Sequence, residues 1–308
     1  MENTIYDILI IGGGPAGLTA GIYGARAKAK VLILDNNMIG GQTILTHEIA
    51  NYPGIESTSG YQLASTMKKQ AESFGCMIKS NIKIQKLELD EAIKKVHLST
   101  GEIYSSKTII LSTGGRSRMI GAKGEQRIKG KGVSYCATCD GDFFTDKEIV
   151  VVGGGNSALE EAVSLTKYAS KVTLIHQFDN FQAFEYAVDQ AKLNPKIEFR
   201  MSSRITEFKG ESGLEEVEIE SIPSQTKESL KIDGAFIFIG YEPQTEILDN
   251  TFVMLNERKE IIVDGNMRTN LEGVYAAGDS NAKRYRQITT AISDGTIAAL
   301  SALESIQK

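Results

Sequence analysis

Cysteine and histidine are scarce in this chain of 308 residues, which carries only three of each. Three cysteines are too few, and odd in number, for the disulfide scaffold of a small secreted domain. The pattern also argues against a structural zinc site, because His47, His97 and His176 are scattered and none stands at zinc-finger spacing from Cys136 and Cys139. We therefore expect no metal centre.

The chain also lacks an excess of positive charge and a long apolar run. Its 34 Lys and Arg against 39 Asp and Glu make it mildly acidic, so the charge balance does not favour nucleic acid or an anionic membrane as a partner. No charged segment followed by an apolar one opens the sequence, and the first apolar run is too short to span a bilayer. These absences predict a cytoplasmic protein. The length suits two domains, and 41% hydrophobic residues supply both cores.

The first forty residues predict a dinucleotide-binding unit. Tyr6 to Ile11 is a continuous, β-branched apolar run, typical of a strand buried on both faces of a parallel sheet. The three glycines of a GxGxxG fingerprint follow, and they suit a tight turn, close approach of the backbone to a pyrophosphate, and close packing of helix on strand. These glycines are Gly12, Gly14 and Gly17. A helix predicted over Leu18–Ala27 presents its N-terminal amides to phosphate.

An acidic residue stands at the distance that this unit requires. The strand predicted over Lys30–Leu34 ends at Asp35, whose carboxylate can accept hydrogen bonds from an adenosine ribose. Strand, glycine turn, helix and acid together are far more specific than the glycines alone.

The same pattern returns in the middle of the chain. A strand over Glu148–Val152, a turn from Gly153 to Ala158, a helix over Leu159–Tyr168 and a strand over Lys171–Ile175 repeat the order of the first unit. An internal repeat of a whole nucleotide-binding unit predicts two Rossmann-like domains. Near the end, Gly273–Asp279 is again a strand that runs into a turn with an acid. If that strand returns to the first sheet, the first domain is discontinuous and the second is inserted into it.

A cysteine pair lies just upstream of the second fingerprint, in the sequence Cys136-Ala137-Thr138-Cys139-Asp140. A redox thiol pair between two dinucleotide folds indicates an enzyme that carries electrons from a flavin to a disulfide. A CxxC at a helix N-terminus also receives the amide dipoles that lower a thiolate pKa. The alternative is a pair of buried, inert thiols with Asp140 as an ordinary helix cap. Cys76 follows a predicted helix and is expected in the core.

Taken together, these motifs resemble those of the low-molecular-weight, bacterial-type thioredoxin reductases over nearly the full length. The resemblance implies an α/β fold of two three-layer, Rossmann-like domains: an FAD-binding domain of residues 1–115 and 246–308, and an inserted redox domain of residues 116–245. It implies that Cys139 faces the flavin, that Cys136 attacks the disulfide of thioredoxin, and that Asp140 exchanges a proton with the outgoing thiol. It also implies a homodimer.

The FAD-binding residues that the fingerprint and the resemblance predict come from both ends of the chain. They are Gly12, Gly14, Pro15, Ala16, Gly17, Asp35, Gly41, Gln42, Asn51, Thr113, Gly114, Gly278, Asp279, Arg286, Gln287 and Ile288.

One segment departs from the family pattern. NADPH-dependent relatives carry His-Arg-Arg-x-x-x-Arg after the second strand of the inserted domain, and the corresponding residues here run from His176 through Gln177, Phe178 and Asp179 to Gln182. The three arginines are absent, and Asp179 adds a charge of the same sign as a phosphate. Each charge-assisted hydrogen bond contributes roughly 1.5 to 3 kcal/mol, so their loss should weaken NADPH binding on the order of a thousandfold.

Four functions remain compatible with this departure. The first resembles the ferredoxin-dependent flavin thioredoxin reductases of anaerobic bacteria, which also lack these motifs. Electron flow from a donor near roughly −400 mV to an acceptor near −270 mV releases about 6 kcal/mol for two electrons. The others are an NADH- or NADPH-dependent thioredoxin reductase, an FAD-dependent thiol oxidase that reduces oxygen, and a non-enzymatic flavin redox sensor. We favour the ferredoxin-dependent enzyme.

Basic residues cluster just before the cysteine pair, at Arg116, Arg118, Lys123, Arg127, Lys129 and Lys131. A charge run of this kind predicts a solvated linker between the domains. The alternative is a docking face for an acidic protein.

Overall fold

The computed structural model describes residues 4–46 and 49–307. Contacts divide the chain into two compact units, the first made of Met1–Arg116 with Glu242–Lys308 and the second of Ser117–Tyr241. His47 lies outside the described residues. Along the described part of the chain, none of the helices combines the length and apolar character needed to cross a bilayer.

Seventeen strands, seven α-helices and three short 3-10 helices are formed by the described residues. The strands are β1 (Ile5–Ile11), β2 (Val31–Leu34), β3 (Met77–Lys79), β4 (Ile84–Glu88), β5 (Lys94–Leu98), β6 (Ile103–Leu111), β7 (Gly115–Ser117), β8 (Val133–Ser134), β9 (Glu148–Val152), β10 (Lys171–Ile175), β11 (Ile197–Arg200), β12 (Ser203–Lys209), β13 (Glu216–Ser221), β14 (Lys227–Lys231), β15 (Gly234–Ile237), β16 (Tyr241–Pro243) and β17 (Val274–Ala276). The α-helices are α1 (Pro15–Arg26), α2 (Gly60–Ser73), α3 (Glu125–Ile128), α4 (Ala137–Asp140), α5 (Asn156–Leu165), α6 (Glu185–Leu193) and α7 (Ile288–Ile306), and the 3-10 helices are Gly41–Leu45, Gly141–Phe144 and Glu246–Leu248.

The first unit is built on a seven-stranded sheet of order β3-β2-β1-β6-β5-β4, with β17 also paired to β6. Strands β1, β2, β3, β6 and β17 are parallel, and β4 and β5 add antiparallel pairs. Because β17 lies late in the sequence and pairs with Ile109 to Leu111 of β6, the chain returns to the sheet that its N-terminus began. This is the pairing that a discontinuous first domain requires.

Alternate residues of β1 lie in two separate cores, which makes this unit three-layered. Ile8 and Ile10 pack with α1, α2 and α7 on one face, whereas Leu9 and Ile11 pack on the opposite face with residues of β2, β4 and β5. Burial of each such side chain stabilises the fold by roughly 1.5 to 3 kcal/mol. A strand buried on both faces has no polar face, which explains the unbroken apolar run in the sequence.

The second unit holds a five-stranded parallel sheet of order β11-β10-β9-β15-β8. Helices α5 and α6 cover one face, where they pack on Ile149 and Val151. The three-stranded antiparallel sheet β12-β13-β14 covers the other face, where it packs on Val150 and Val152. This unit is therefore also three-layered, and the repeat expected from the sequence is present as strand, glycine turn, helix and strand.

The predicted starts of α1 and α5 are wrong by three residues in the same direction. Helix α1 begins at Pro15 rather than Leu18, because proline is tolerated in the first turn, where its missing N–H has no intrahelical acceptor. Helix α5 begins at Asn156 rather than Leu159 and ends at Leu165. The glycine fingerprint thus includes the first helical turn rather than preceding it.

The two connections between the units form a two-stranded sheet from β7 and β16. The division of the chain falls within these strands, at Arg116 and at Glu242. The prediction set the second boundary at residues 245 and 246, but the amide of Gln244 donates to the carbonyl of Gly114 at 2.9 Å. That bond joins residues 242–245 to the first unit.

Candidate functional site

Cys136 and Cys139 are joined by a disulfide across a single helical turn. Cys136 is the N-cap of α4 with an extended backbone, and the amide of Cys139 donates to its Sγ at 3.2 Å. An N–H group aimed at this sulfur stabilises negative charge on it once the disulfide is reduced, so the turn favours a thiolate at Cys136. Among the described residues, no group of three or more His, Cys, Asp and Glu side chains could hold a metal ion.

Asp140 ends the same helix, and its carboxyl group is partly buried. Its Oδ2 atom accepts a hydrogen bond from the Ser134 hydroxyl at 2.5 Å. Burial raises the pKa of Asp140; the Ser134 hydrogen bond lowers it, and the charge of Asp142 raises it further. A carboxyl group with a raised pKa beside two cysteines can hold a proton at a pH where an ordinary aspartate has lost it.

The first glycine turn lies at the end of β1 and is sterically restricted to glycine. Gly12 has φ +102°, and a Cβ there would overlap the carbonyl oxygen of Ser112. A Cβ at Gly17 would overlap the carbonyl oxygen of Gly12. Both glycines therefore serve the close packing of α1 on the sheet, which is the structural part of the fingerprint.

Gly14 differs from these two, because its backbone is extended and the space beside it is open. A Cβ at Gly14 would be 4.0 Å from the Cα atom of Gly41, with no other contact within that distance. The turn that contains Gly40 and Gly41 is held against the first glycine turn by a hydrogen bond of 2.8 Å from the Gly40 amide to the Gly13 carbonyl. Within the described part of the chain, no side chain caps the N-terminus of α1 after Gly14, and its first turn, with Pro15 and Ala16, carries no acid. The backbones of Gly14 and Gly41 therefore form an open cradle at the N-terminus of α1, where the helix dipole is positive.

The Asp35 carboxylate lies beside this cradle. It accepts hydrogen bonds from the amides of Gly13 at 2.6 Å and Asn37 at 2.7 Å. Burial nevertheless raises the pKa of Asp35, since these two bonds offset the effect only in part. The carboxylate is thus held in place by the turn itself, and its oxygens can still accept from hydroxyl groups.

The segment after β17 contacts the same end of α1. The amide of Gly278 donates to the Asp294 carboxylate at 3.0 Å, and that carboxylate also pairs with Lys283. A Cβ at Gly278 would come within 2.9 Å of the Cβ of Ala16. The structure therefore brings Gly278 to the first glycine turn, although the two are more than 250 residues apart in the sequence.

Arg286 and Gln287 follow in the loop that leads into α7. Arg286 forms an ion pair with the buried Glu260, and its Nε atom donates to the Asp279 carbonyl at 3.4 Å. Gln287 is the N-cap of α7 and forms a capping box with Thr290, so that the helix begins at Ile288. Burial raises the pKa of Asp279.

The other predicted flavin residues lie near the carboxyl end of β6 or in exposed loops. The Oγ1 atom of Thr113 is buried and has no hydrogen-bond partner among the described residues. Gly114 follows with φ +66° and open space where a Cβ would stand. Gln42, in the 3-10 helix, and Asn51 are both exposed.

The second glycine turn is occupied by the protein's own side chains and backbone. The His176 ring packs on Gly154 so closely that a Cβ there would overlap it, and the Phe181 ring stacks on His176 with centroids 5.7 Å apart. The Gln182 amide donates to the Gly154 carbonyl at 2.8 Å. Gly155, by contrast, has open space around it and an extended backbone.

The loop that replaces the arginine run is stabilised by its own amide side chains. Gln182 Nε2 donates to the Asn180 carbonyl at 3.0 Å, and Asn180 Nδ2 donates to Asp179 Oδ1 at 2.9 Å. Phe178 is 49% exposed, and its ring meets that of His176 edge to face. Burial lowers the pKa of His176, so the ring adds no positive charge near neutral pH.

The basic cluster at residues 116–131 is mostly exposed, as expected for a solvated surface. It is not a linker, since all of it beyond Arg116 belongs to the second unit. Part of its charge is offset, because Arg116 pairs with Glu242 at 3.3 Å and Lys123 with Glu207 at 2.8 Å. Lys129 lies over the ring of Tyr135.

Cys76 follows α2 and is 4% exposed, which confirms its expected place in the core. Burial and the charge of Glu72 raise the pKa of its thiol to about 12. We expect iodoacetamide at pH 8 to leave Cys76 unmodified in the folded, reduced protein while it alkylates Cys136, because the thiolate is the nucleophile. Peptide mass spectrometry measures both sites, and a denatured sample controls for intrinsic reactivity. Equal labelling of Cys76 in the folded protein would contradict its burial.

Comparison with known proteins places this arrangement in a family. A model of the pyridine nucleotide-disulphide oxidoreductases matches residues 6–295. The chain belongs to this family. A thioredoxin reductase of Peptoclostridium acidaminophilum is 44% identical over 100% of this chain and 98% of its own length. A protein of Clostridium pasteurianum described as a 34.2 kDa protein in the rubredoxin operon is 43% identical over 98% of this chain and 97% of its own.

The structural comparison agrees with the sequence comparison. The crystal structure of thioredoxin reductase from Streptococcus pyogenes superposes with a TM-score of 0.95 at 38% identity, covering 99% of both chains. The thioredoxin reductase from Giardia duodenalis superposes with a TM-score of 0.91 at 33% identity, covering 98% of both. The predicted α/β fold with Rossmann-like domains is confirmed, and the chain is a disulphide oxidoreductase of the low-molecular-weight thioredoxin reductase type.

Sequence reasoning missed three residues that hold the site together. Ser134 binds Asp140, Glu260 binds Arg286, and Asp294 binds the Gly278 amide. Glu260 and Asp294 carry no motif, so nothing in the sequence pattern points to their partners. Ser134 stands two residues before Cys136, so its position could have drawn attention, but the direction of its hydroxyl could not be read from the sequence.

Proposed function

We propose that this protein is an FAD-dependent enzyme that reduces the disulfide of thioredoxin through the Cys136–Cys139 pair. The observation that carries the proposal is the disulfide turn itself, with an amide aimed at Cys136 Sγ. The partly buried carboxyl group of Asp140 next to it supplies the proton chemistry that disulfide exchange needs. The names of the Peptoclostridium and Streptococcus relatives give the same activity.

The first unit fits FAD in three respects. The Gly14 and Gly41 backbones leave an open cradle at an uncapped helix N-terminus, which suits a pyrophosphate. The Asp35 carboxylate, fixed by the Gly13 amide, suits a ribose. The buried Thr113 Oγ1 atom, without a partner among the described residues, suits a polar atom of a ligand. Arg286, Gln287 and the remaining predicted residues would hold the flavin end.

A pair of matched glycine substitutions tests this assignment. We expect Gly14→Ala to lower the FAD content of the purified protein at least about tenfold, because a Cβ would fill the cradle without straining an extended backbone. Gly155→Ala, the corresponding change in the second fingerprint, should leave the FAD content unchanged. Flavin absorbance per chain measures both, and thermal unfolding shows that each variant is folded. Equal FAD content in the two variants would mean that FAD does not bind at the first fingerprint.

The chain's own residues divide the disulfide chemistry between them. Bound FAD supplies a carrier that collects electrons singly or in pairs and delivers two to a disulfide. Cys136, whose thiolate the Cys139 amide stabilises, attacks the thioredoxin disulfide and forms a mixed disulfide. Cys139 then attacks Cys136 and releases reduced thioredoxin. The first attack leaves one thioredoxin sulfur as a thiolate, which takes a proton from water. In the second step Asp140 takes the proton from the Cys139 thiol and gives it to the thioredoxin thiolate that leaves Cys136.

We further propose reduced ferredoxin as the electron donor, in place of NADPH. The residues that stand where NADPH-dependent relatives carry arginines are Gln177, Phe178 and Gln182, and none of them can pair with a 2′-phosphate. The carboxylate of Asp179 repels such a phosphate. Exposed lysines and arginines of segment 116–131 offer a positive surface to an acidic protein, with Arg116 and Lys123 partly neutralised by their ion pairs.

Three other functions predict different results in simple assays. An NADH- or NADPH-dependent reductase would bleach the flavin absorbance anaerobically with micromolar nicotinamide nucleotide. A thiol oxidase would consume oxygen with dithiothreitol as the only reductant. A redox sensor would show no turnover of thioredoxin with any donor. We expect turnover only with reduced ferredoxin. We also expect the enzyme to be a cytoplasmic homodimer, and light scattering would measure the mass of the dimer.

A further inference from the structure

The hydroxyl group of Ser134 connects two parts of the disulfide turn. It receives a hydrogen bond from the amide of Cys136 at 3.1 Å and donates to Asp140 Oδ2 at 2.5 Å. The Cys136 carbonyl lies farther from it, at 3.3 Å. A hydroxyl has one proton to donate, and the shorter contact to a carboxylate oxygen is the stronger bond. Ser134 therefore links the backbone of the attacking cysteine to the partly buried carboxyl group.

The backbone that carries this hydroxyl is fixed by the sheet. Ser134 is a buried residue of β8, and its Cα atom pairs with that of Phe236 in β15. The amide of Ala235 donates to the Gly132 carbonyl at 2.8 Å, which holds the start of β8 in register. The hydroxyl thus projects from a parallel sheet, whereas Asp140 lies on a helix of only four residues. A short helix that is bound to a rigid sheet in this way keeps its side chains in one orientation.

We propose that Ser134 is a positioning residue that holds the Asp140 carboxyl group at the disulfide turn and sets how readily it gives up its proton. The inference rests on the proposed function, since it concerns the proton that Asp140 transfers during disulfide exchange. Ser134 itself exchanges no proton with thioredoxin. It acts through Asp140 on one side and through the Cys136 amide on the other.

The charges around Asp140 determine the direction of the effect. Burial raises the pKa of Asp140 and the charge of Asp142, on the following 3-10 helix, raises it further, whereas the Ser134 hydrogen bond lowers it. Helix α5, which packs against α4, has no lysine or arginine, and its charged residues are Glu160 and Glu161. Loss of the Ser134 hydroxyl removes the group that stabilises the carboxylate, so Asp140 should remain protonated to a higher pH.

The titration of Asp140 can be followed directly in the holoenzyme. A protonated carboxyl group gives an infrared absorption band. The band that the wild-type protein shows and Asp140→Asn lacks belongs to Asp140, and its loss with rising pH measures the ionisation of that carboxyl group. We expect Ser134→Ala to move the midpoint of that titration upward by about one pH unit. Ser134→Thr, which keeps the hydroxyl, should restore the midpoint to within a few tenths of the wild-type value.

A second buried serine provides the matched control. Ser203 is buried in the same unit, and its hydroxyl donates to the Met201 carbonyl at 2.8 Å. Ser203→Ala removes a buried hydrogen bond without touching Asp140, and we expect its midpoint to equal that of the wild-type protein. An equal shift in Ser203→Ala, or no shift in a folded Ser134→Ala, would overturn the proposal.

Thioredoxin turnover gives a second, independent readout. The high-pH limb of the rate should move upward in Ser134→Ala as the titration does, and the same substitution in an Asp140→Asn background should no longer move it. A shift that persists without the Asp140 carboxyl group would also overturn the proposal. If no donor supports turnover, the proposed function fails, while the infrared titration still decides the role of Ser134.

Discussion

Cys136→Ser is expected to abolish thioredoxin reduction and to give the flavoprotein a new long-wavelength absorption band. The substitution removes the sulfur that attacks thioredoxin, a loss worth on the order of a thousandfold or more in turnover. It also opens the disulfide, so Cys139 is left as a free thiol. We propose, from the resemblance to thioredoxin reductases, that Cys139 would lie on the flavin side, where its thiolate beside oxidised flavin would give a charge-transfer band.

The three single cysteine variants separate the roles of the sulfurs. Cys139→Ser should lose turnover to the same extent but show no band, because the remaining Cys136 thiolate is the one that meets thioredoxin. Cys76→Ser is the matched control, since Cys76 is buried and forms no disulfide, and the variant should keep both turnover and the wild-type spectrum. A band in Cys139→Ser rather than in Cys136→Ser would mean that the two roles are exchanged. No band in either would remove the support for a thiol–flavin contact.

The parts of the fold that could be predicted are those in which a short stretch of sequence determines the structure. The run from Tyr6 to Ile11 can be apolar throughout only if both faces of the strand are buried, and the structure places its side chains in two cores. The glycines at residues 12 and 17 could be assigned because any side chain there overlaps the backbone. The glycines of the fingerprint are therefore enough to predict the geometry of the turn.

The parts that could not be predicted depend on contacts that no motif marks. Glu260 binds Arg286 and Asp294 binds Gly278, and neither pair stands at a spacing that a sequence pattern identifies. The starts of both helices after the glycine turns were predicted too late, since the first helical turns contain Pro15, Gly17, Asn156 and Ser157, whose helix propensity is low. The second glycine turn kept its sequence pattern, and only the structure places His176 against Gly154.

Wild-type protein is expected to accept electrons from reduced ferredoxin and to be reduced by micromolar NADPH or NADH at a negligible rate. Two or three missing charge-assisted hydrogen bonds of roughly 1.5 to 3 kcal/mol each should weaken NADPH binding on the order of a thousandfold relative to proteins that carry the arginines. Stopped-flow absorbance of the flavin under anaerobic conditions measures all three donors. The ferredoxin rate should fall as salt screens the attraction to segment 116–131. Rapid reduction by NADPH would show that residues other than arginines at this loop bind the cofactor.

Grafting the arginines tests the same argument in the opposite direction. The triple variant Gln177→Arg, Phe178→Arg and Gln182→Arg should lower the NADPH concentration for half-maximal flavin reduction between about ten- and a thousandfold, the lower figure reflecting the weakness of exposed ion pairs. Gln182 is suited to the change because its backbone stays bound to Gly154 while only its side chain is replaced. NADH lacks the 2′-phosphate and serves as the matched ligand, for which we expect no improvement. An equal gain for both nucleotides would mean that the substitutions act through the shape of the loop. No gain for either would mean that the nucleotide is excluded by the packing of His176 and Phe181 on the second glycine turn and not by the missing charge.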